Sequence, residues 1–169
     1  MNNTKKLNLD QIDTFVIDFD GVMTDNKVYI DCEGNEFVSC NRADGLAFDV
    51  LKKLSKDVFF LSSEKKSLVA ARAKKLGIEC YYGIENKDKE LLKIINQKKY
   101  NPKKVFYIGN DINDYGCFNL VGFSACPRDS HPEIIKKASF VLNKNGGEGV
   151  FREVLEEIFL IDFVKVLYQ

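Results

Sequence analysis

Several features that are common in proteins are scarce or missing in this sequence, and each absence excludes a class of protein. Histidine occurs once, as His131, and the five cysteines form no C-x-x-C pair, so a structural zinc site is not expected. An odd number of cysteines also argues against a disulfide framework and is more typical of buried thiols in a reducing cytoplasm. Basic and acidic residues balance at 25 each, so no net charge favours nucleic acid or an acidic membrane as partner.

Long apolar segments are missing as well. No stretch approaches the roughly 18 apolar residues that a membrane span requires. The N-terminal segment MNNTKKLNLDQID lacks the apolar core of a signal peptide, and we therefore predict a cytoplasmic protein. The 169 residues predict one globular domain, 1–169, since no linker or repeat marks a second.

Short apolar runs alternate with amphipathic segments along most of the chain. This alternation predicts an α/β fold in which a parallel sheet carries helices on both faces. The predicted strands are Thr14–Asp18, Asp57–Leu61, Glu79–Tyr81, Val105–Ile108, Gly122–Ala125 and Phe140–Leu142. The predicted helices are Gly45–Leu54, Lys65–Leu76, Lys87–Lys99, Asn113–Val121, Pro132–Lys137 and Gly149–Phe159.

The segment KVYIDCEGNEFVSC, residues 27–40, breaks this alternation. It predicts a β-hairpin that turns at Glu33-Gly34-Asn35 and is inserted after the first strand. Its apolar side chains are too many for a hairpin surrounded by water, and an isolated hairpin is only marginally stable. The hairpin must therefore pack on something, either its own sheet or another copy of the chain.

Two carboxylates stand at the end of the first predicted strand, in the segment FVIDFDGVMTD. Asp18 and Asp20 are two residues apart, so in an extended strand their side chains point the same way. Each then raises the cost of ionising the other. A bound cation, a shared proton or a catalytic task would explain that cost.

Three further polar positions follow later strands or begin a helix. Ser62 follows the second strand, Lys87 begins a helix, and GNDIND, residues 109–114, follows the fourth strand. Taken singly, these residues are typical of a helix cap, a surface lysine and a turn. Taken together with Asp18, they lie where parallel sheets bind ligands, at the carboxyl ends of the strands.

In this order the segments resemble the four motifs of the haloacid dehalogenase (HAD) superfamily of phosphotransferases, and the similarity covers nearly the whole chain. DFDGVMTD is similar to the first motif, FLSSE to the second, the lysine of ENKDKE to the third and GNDIND to the fourth. The superfamily has a three-layer α/β/α, Rossmann-like fold, which the resemblance implies here.

The resemblance also implies a role for each of these residues. Asp18 would be the nucleophile that forms an aspartyl-phosphate, and Asp20 would act first as an acid and then as a base. Ser62 would donate a hydrogen bond to the phosphoryl oxygens, and Lys87 would neutralise charge on the phosphoryl group and on Asp18.

A magnesium ion is implied by the same resemblance, held by Asp18, the backbone carbonyl of Asp20 and the fourth motif. Most members carry aspartate directly after the glycine of that motif, whereas this chain has Asn110. An amide oxygen can bind magnesium without contributing charge, so we expect weaker binding unless Asp111 or Asp114 helps. The departure leaves an alternative open: a catalytically weak or inactive module for oligomerisation or scaffolding in sialic-acid activation.

One branch of the superfamily is similar in having a hairpin after the first motif and no large cap insertion. It contains the phosphatases of 3-deoxy-manno-octulosonate 8-phosphate and of the nine-carbon acids Kdn and sialic acid, and a domain of acylneuraminate cytidylyltransferases. Its tetramers, in which hairpins pack together and a neighbour helps to cover the active site, imply a homotetramer here. Further similar segments are RADG (42–45), ACPRDSHPE (125–133) and NGGEGVFREV (145–154).

Substrate binding is expected at several positions, with Thr24, Asp44 and Gly45 named because they lie in the first-motif and RADG segments. Glu64 occupies a position that is usually arginine in octulosonate phosphatases, whereas relatives that act on nine-carbon acids have glutamate.

We expect Glu64 to begin the helix that ends at Leu76 and to accept hydrogen bonds from sugar hydroxyls. Stabilisation of the helix N-terminus is the alternative role of Glu64. Arg72 and Lys75, on one face of that helix, would bind the carboxylate of the substrate, in the site of their own chain or of a neighbouring subunit. A nine-carbon keto acid 9-phosphate is therefore favoured over octulosonate 8-phosphate.

Overall fold

The computed structural model describes residues 6–65 and 68–169. In chain order the strands are β1 (Thr14–Ile17), β2 (Tyr29–Ile30), β3 (Glu36–Phe37), β4 (Asp57–Leu61), β5 (Glu79–Tyr81), β6 (Val105–Ile108), β7 (Phe123–Cys126) and β8 (Phe140–Val141). Six of them form one sheet in the order β5-β4-β1-β6-β7-β8, and every neighbouring pair is parallel. The remaining two, β2 and β3, form the antiparallel hairpin. The predicted α/β fold with a parallel sheet is confirmed.

Helices cover both faces of this sheet. They are α1 (Arg42–Lys53), α2 (Leu68–Leu76), α3 (Lys87–Lys98), α4 (Tyr115–Leu120), α5 (Pro132–Lys137), α6 (Val150–Glu153) and α7 (Phe163–Tyr168). The helices α1, α2, α6 and α7 contribute to one apolar cluster, and α3, α4 and α5 contribute to another. Three layers result.

Strand β1 is buried on both sides, which explains why its sequence is continuously apolar. Phe15 and Ile17 point into the cluster under α1 and α6, whereas Val16 points into the cluster under α3 and α4. The chain runs from β1 outward to β4 and β5 and then returns to β6 on the other side of β1. The strand order therefore reverses between β1 and β6, where α/β sheets bind ligands.

Several helix boundaries differ from the predicted ones. Helix α1 begins before Gly45 because the side chain of Asn41 accepts a hydrogen bond from the N–H of Ala43 at 2.8 Å and caps it. The predicted helix 149–159 is instead α6 followed by a π-helical turn, Val154–Ile158.

Helix α2 begins at Leu68 in the part of the chain that is described. Glu64 and Lys65 are not helical, and the predicted helical residues Lys66 and Ser67 lie outside the described residues. The expectation that Glu64 begins this helix is therefore wrong, whereas the alternative in which it stabilises the helix N-terminus depends on residues outside the described ones and stays a prediction.

The hairpin leaves its apolar side chains exposed. The exposed fractions are 51% for Val28, 58% for Tyr29, 67% for Ile30 and 55% for Phe37. The hairpin does not pack these four side chains on its own sheet, so that alternative is wrong for them. The C-terminal tail, by contrast, docks on its own chain, where α7 contacts α1.

No helix among residues 6–65 and 68–169 combines the length and apolar character needed to cross a membrane.

Candidate active site

Asp18 lies directly after β1 at the centre of the sheet. Its backbone N–H donates to the carbonyl of Ile108 at 2.9 Å, and its carboxylate Oδ1 accepts from the N–H of Phe19 at 2.7 Å. The side chain is almost completely buried. Burial raises the pKa of Asp18, as does the nearby charge of Asp114, whereas Lys87 lowers it.

Lys87 connects two carboxylates inside the protein. Its Nζ lies 2.6 Å from Oδ1 of Asp18 and 2.8 Å from Oδ1 of Asp114, and all three side chains are buried. Burial alone would lower the pKa of Lys87, but the two carboxylates outweigh burial and hold it above its ordinary value. Lys87 is thus a fixed positive charge next to Asp18, as its predicted role requires.

Both carboxylate oxygens of Asp114 accept hydrogen bonds from other groups of the protein. Oδ1 accepts from Lys87 and from the hydroxyl of Tyr107 at 2.7 Å, and Oδ2 accepts from the backbone N–H groups of Asn110 and Asp111 at 2.9 and 3.3 Å. The residue is fully buried. The structure therefore does not support Asp114 as a magnesium ligand, and Asn110 and Asp111 remain candidates in the fourth motif.

One cavity of about 260 Å³ collects six of the predicted site residues. It is open to solvent at the carboxyl ends of β1, β4 and β6, as expected from the switch in strand order. Its lining includes the predicted residues Asp18, Asp20, Ser62, Glu64, Asn110 and Asp111.

A sharp turn brings the first and fourth motifs together at this cavity. Gly21 has a φ of +76°, and a Cβ built on it would lie 1.8 Å from Nδ2 of Asn110. Glycine is required here both for the backbone conformation and for the space that the Asn110 side chain occupies.

The electrostatic surroundings of Asp20 suit a group that must carry a proton. Burial raises its pKa, and the charges of Glu64 and Glu36 raise it further, while Lys87 opposes them. The carboxylate of Glu64, which precedes α2 in the chain, is therefore close enough to Asp20 to raise its pKa. Its backbone N–H donates to the Ser62 hydroxyl at 3.1 Å, which ties the second motif to the same wall.

Four other predicted substrate-binding residues lie outside this cavity. The Thr24 hydroxyl accepts from the N–H groups of Gly21 and Asn26 at 3.2 and 3.3 Å, so it stabilises the first-motif loop. Gly45, Arg72 and Lys75 line a separate cavity of about 250 Å³ between α1 and α2.

Asp44 also lies outside the cavity and is completely buried. Its Oδ1 accepts from the backbone N–H of Arg152 at 3.0 Å and so caps the N-terminus of α6 from a different helix. Within the described part of the chain, Oδ2 has no hydrogen-bond partner. Asp44 is thus a structural residue, and the expectation that it binds substrate is not supported.

The environment of Asp44 makes protein stability depend on pH. Burial raises its pKa from 3.8 to about 6 in the folded protein. A raised pKa contributes stability that is complete below about pH 4 and is lost as the pH rises through 6. Relative to Asp44→Asn, the wild type is expected to lose up to about 3 kcal/mol between pH 4 and 7, at roughly 1.4 kcal/mol per pKa unit.

Urea unfolding of the wild type and of Asp44→Asn across this pH range measures that difference directly. Asp49→Asn, an exposed change on the same helix, is the matched control and should track the wild type. A constant stability difference between the wild type and Asp44→Asn would contradict the assignment.

The segments ACPRDSHPE and NGGEGVFREV, for which no role is predicted, contact the fourth and first motifs respectively. The N–H of Gly147 donates to the carbonyl of Val22 at 3.0 Å, and a Cβ on Gly146 would lie 2.3 Å from the Gly21 carbonyl oxygen. The N–H of His131 donates to the carbonyl of Asn110 at 2.9 Å. These contacts fix the backbones of the first and fourth motifs.

Comparison with known proteins agrees with this geometry. The model of a family described as haloacid dehalogenase-like hydrolase matches residues 58–154, more than half of the chain. The chain belongs to the haloacid dehalogenase-like hydrolases. Its predicted membership of the HAD superfamily and its assignment as a hydrolase are confirmed.

Individual relatives show which members of the family this HAD hydrolase is similar to. The chain is 33% identical over 146 residues to the 3-deoxy-D-manno-octulosonate 8-phosphate phosphatase of Yersinia pestis, covering 86% of this chain and 78% of that enzyme. A HAD family hydrolase from Streptomyces avermitilis has a similar structure, with a TM-score of 0.88 and 39% identity over 90% of this chain and 88% of that one.

The octulosonate 8-phosphate phosphatase of Moraxella catarrhalis, solved with a magnesium ion, a phosphate ion and KDO, has a TM-score of 0.84 and 25% identity. That match covers 94% of this chain and 88% of the Moraxella chain. The predicted similarity to the octulosonate phosphatase branch is confirmed.

Proposed function

We propose that this HAD hydrolase is a magnesium-dependent phosphatase that acts on the phosphate monoester of a 2-keto-3-deoxy sugar acid. The observation that carries the proposal is the cavity in which Asp18, paired with Lys87 at 2.6 Å, lies beside Asp20, whose pKa is raised. A nucleophile with a fixed cation and an acid at one cavity are what phosphoryl transfer through an enzyme carboxylate requires.

In the first half of the reaction, a carboxylate oxygen of Asp18 attacks phosphorus and the bond from phosphorus to the sugar oxygen breaks. Asp20 donates its proton to that leaving oxygen. Lys87, held between Asp18 and Asp114, remains next to the negative charge as the charge moves from the carboxylate to the phosphoryl oxygens.

In the second half, Asp20 takes a proton from water, and the resulting hydroxide attacks phosphorus. The bond between phosphorus and Asp18 breaks, which releases inorganic phosphate and restores both carboxyl groups. In this proposal Ser62 hydrogen-bonds the phosphoryl oxygens, and its burial at the end of β4 and its position in the cavity lining support that role.

The residues at the cavity fit a magnesium ion by the chemistry of their donors. Asp18, the carbonyl of Asp20, Asn110 and Asp111 all offer oxygen atoms, which magnesium prefers. Among the described residues, no group of three or more histidine, cysteine, aspartate or glutamate side chains forms a metal cage, so water and phosphate would complete the coordination. When bound, magnesium supplies positive charge that screens Asp18 from the anionic substrate.

Glu64 supports the choice of a nine-carbon substrate. It lines the cavity and its charge acts on Asp20, so a neutral polyol chain that donates hydrogen bonds suits this wall better than a second anion. Since Arg72 and Lys75 line a separate cavity on this chain, their proposed role with the substrate's carboxylate applies to the site of a neighbouring subunit. Octulosonate 8-phosphate, the substrate in the names of the relatives, is the next candidate.

The experiment is a comparison of kcat/KM on 9-phospho-Kdn, 9-phospho-sialic acid and octulosonate 8-phosphate. We expect the wild type to favour a nine-carbon substrate by about tenfold or more, and Glu64→Arg to reverse the order. Glu157→Arg, the same charge reversal on an exposed residue outside the cavity, is the control and should leave the order unchanged. A wild-type preference for the eight-carbon substrate would contradict the assignment.

The homotetramer is part of this proposal and is supported by the four exposed apolar side chains of the hairpin. A reducing cytoplasm suits the five cysteines, all of which are free thiols.

Asn110 favours one alternative, a catalytically weak or inactive module for oligomerisation or scaffolding, since its amide adds no charge to the metal site. Absence of turnover on all three substrates would support that alternative.

A further inference from the structure

Tyr107 places a polar group inside an otherwise apolar cluster. It lies on β6, is fully buried, and packs its ring edge-on against Phe118 with the centroids 5.6 Å apart. Burial raises its pKa well above the ordinary tyrosine value, and the charge of Asp114 acts in the same direction. The hydroxyl therefore keeps its proton and serves as a donor, and it donates to Oδ1 of Asp114 at 2.7 Å.

The acceptor of this hydrogen bond also binds Lys87. Oδ1 of Asp114 accepts from Nζ of Lys87 at 2.8 Å, and that same Nζ lies 2.6 Å from Oδ1 of Asp18. A chain of contacts thus runs from the Tyr107 hydroxyl through Asp114 and Lys87 to Asp18. Each contact to a charged group within it is short, as expected for charge-assisted hydrogen bonds.

Asp114 cannot relieve the loss of one donor by turning its carboxylate. Its Oδ2 is held by the backbone N–H groups of Asn110 and Asp111. A Cβ on Gly109 would lie 2.5 Å from the Asp114 Cγ, which shows how closely the backbone packs against the carboxylate. The charge on Oδ1 must therefore be balanced by Tyr107 and Lys87 together.

We propose that Tyr107 is a positioning residue for the phosphatase reaction: its hydroxyl shares the charge of Asp114, so that Lys87 stays between Asp114 and Asp18. The proposal rests on the proposed function. Without the hydroxyl, Asp114 would hold the ammonium group more tightly and draw it away from Asp18. Lys87 would then stabilise less well the negative charge that develops on the phosphoryl group in the transition state.

Tyr107→Phe tests this role because it removes the hydroxyl and keeps the ring. We expect kcat to fall about tenfold while KM changes less than about twofold, since the lost contact acts on the transition state rather than on binding. Tyr100→Phe is the matched control, since its hydroxyl donates to an Asp57 carboxylate oxygen at the same distance, 2.7 Å, whereas the ion pairs of Lys87 are with Asp18 and Asp114. It should leave kcat within twofold of the wild type.

A purely structural role for the hydroxyl would lower the melting temperature without changing kcat. The second readout is therefore the ¹⁵N NMR signal of the Lys87 ammonium group, identified by its loss in Lys87→Met. We expect Tyr107→Phe to shift this signal and Tyr100→Phe to leave it in place.

A Tyr107→Phe protein with kcat within twofold of the wild type, or with an unshifted Lys87 signal, would overturn the positioning role. If the wild type turns over none of the three sugar-acid phosphates, the proposed function fails instead. In that case a shifted Lys87 signal would still support the contact between Tyr107 and Lys87 through Asp114, and an unshifted one would refute it.

Discussion

Replacing Asp18 by asparagine is expected to lower the rate of phosphate release by at least about a thousandfold. An amide oxygen is too weak a nucleophile to attack phosphorus, and the ion pair with Lys87 at 2.6 Å is lost as well. The fold should persist, because burial and Asp114 both disfavour the charged form of Asp18 and a neutral amide removes that cost. Initial rates at saturating substrate and thermal unfolding by circular dichroism measure the two effects.

Asp13→Asn is the matched control for this change. Asp13 immediately precedes β1, whereas Asp18 immediately follows it, so the two substitutions sit at opposite ends of one strand. The Asp13 carboxylate accepts from the N–H of Asn101 at 3.0 Å and lies outside the cavity. Activity of Asp13→Asn should match the wild type. More than about a tenth of wild-type activity in Asp18→Asn would exclude Asp18 as the nucleophile.

Charged residues at two positions of the hairpin are expected to dissociate the proposed tetramer and, as a consequence, to lower the phosphatase activity. In Val28→Lys/Ile30→Glu, two side chains that are 51% and 67% exposed in the single chain would carry charge into the interface between subunits. Light scattering should then report 19.3 kDa instead of four times that mass. Activity should fall in parallel if a neighbouring subunit helps to cover the cavity.

Val164→Glu separates this effect from a general response to surface charge. Val164 lies on α7 and is 64% exposed, similar to Ile30, but it is not part of the hairpin. The substitution should leave the oligomeric state unchanged. A wild-type protein that is already monomeric at micromolar concentration would refute the proposed assembly.

The central strands were predictable because a strand buried on both faces is continuously apolar and short. The bounds of β4, β5 and β6 are those that the sequence predicts, and the ends of β1 and β7 differ by one residue. Helix ends were harder to predict, since they depend on caps. The asparagine at position 41 that starts α1 carries a readable capping preference, whereas α6 is capped by Asp44 from a distant helix, which no local pattern indicates.

The site was predictable wherever a residue stands at the end of a strand, because the sheet itself brings such ends together. Asp18, Ser62 and Asn110 line one cavity for this reason. The roles of Asp114 and Tyr107 depend on partners that side-chain packing selects, and Tyr107 reads in the sequence as an ordinary core residue. The only feature of the sequence that indicates a role for Tyr107 is its hydroxyl, which lies in an apolar strand directly before GNDIND. A buried hydroxyl there needs a hydrogen-bond acceptor.

Arg72 and Lys75 show a different limit of sequence reasoning. Their spacing correctly places both on one side of a helix, and they line the same cavity. Spacing along a helix does not determine which cavity that side faces, and on this chain it is not the one that contains Asp18.

Release of inorganic phosphate from 9-phospho-Kdn, measured with and without magnesium, tests the central claim most directly. The proposed function predicts steady release with magnesium, a loss of at least about a hundredfold when a chelator removes the metal, and recovery when magnesium is restored. A rate of release that does not change when the chelator is added would contradict the claim. So would a failure to release phosphate from all three substrates: 9-phospho-Kdn, 9-phospho-sialic acid and octulosonate 8-phosphate.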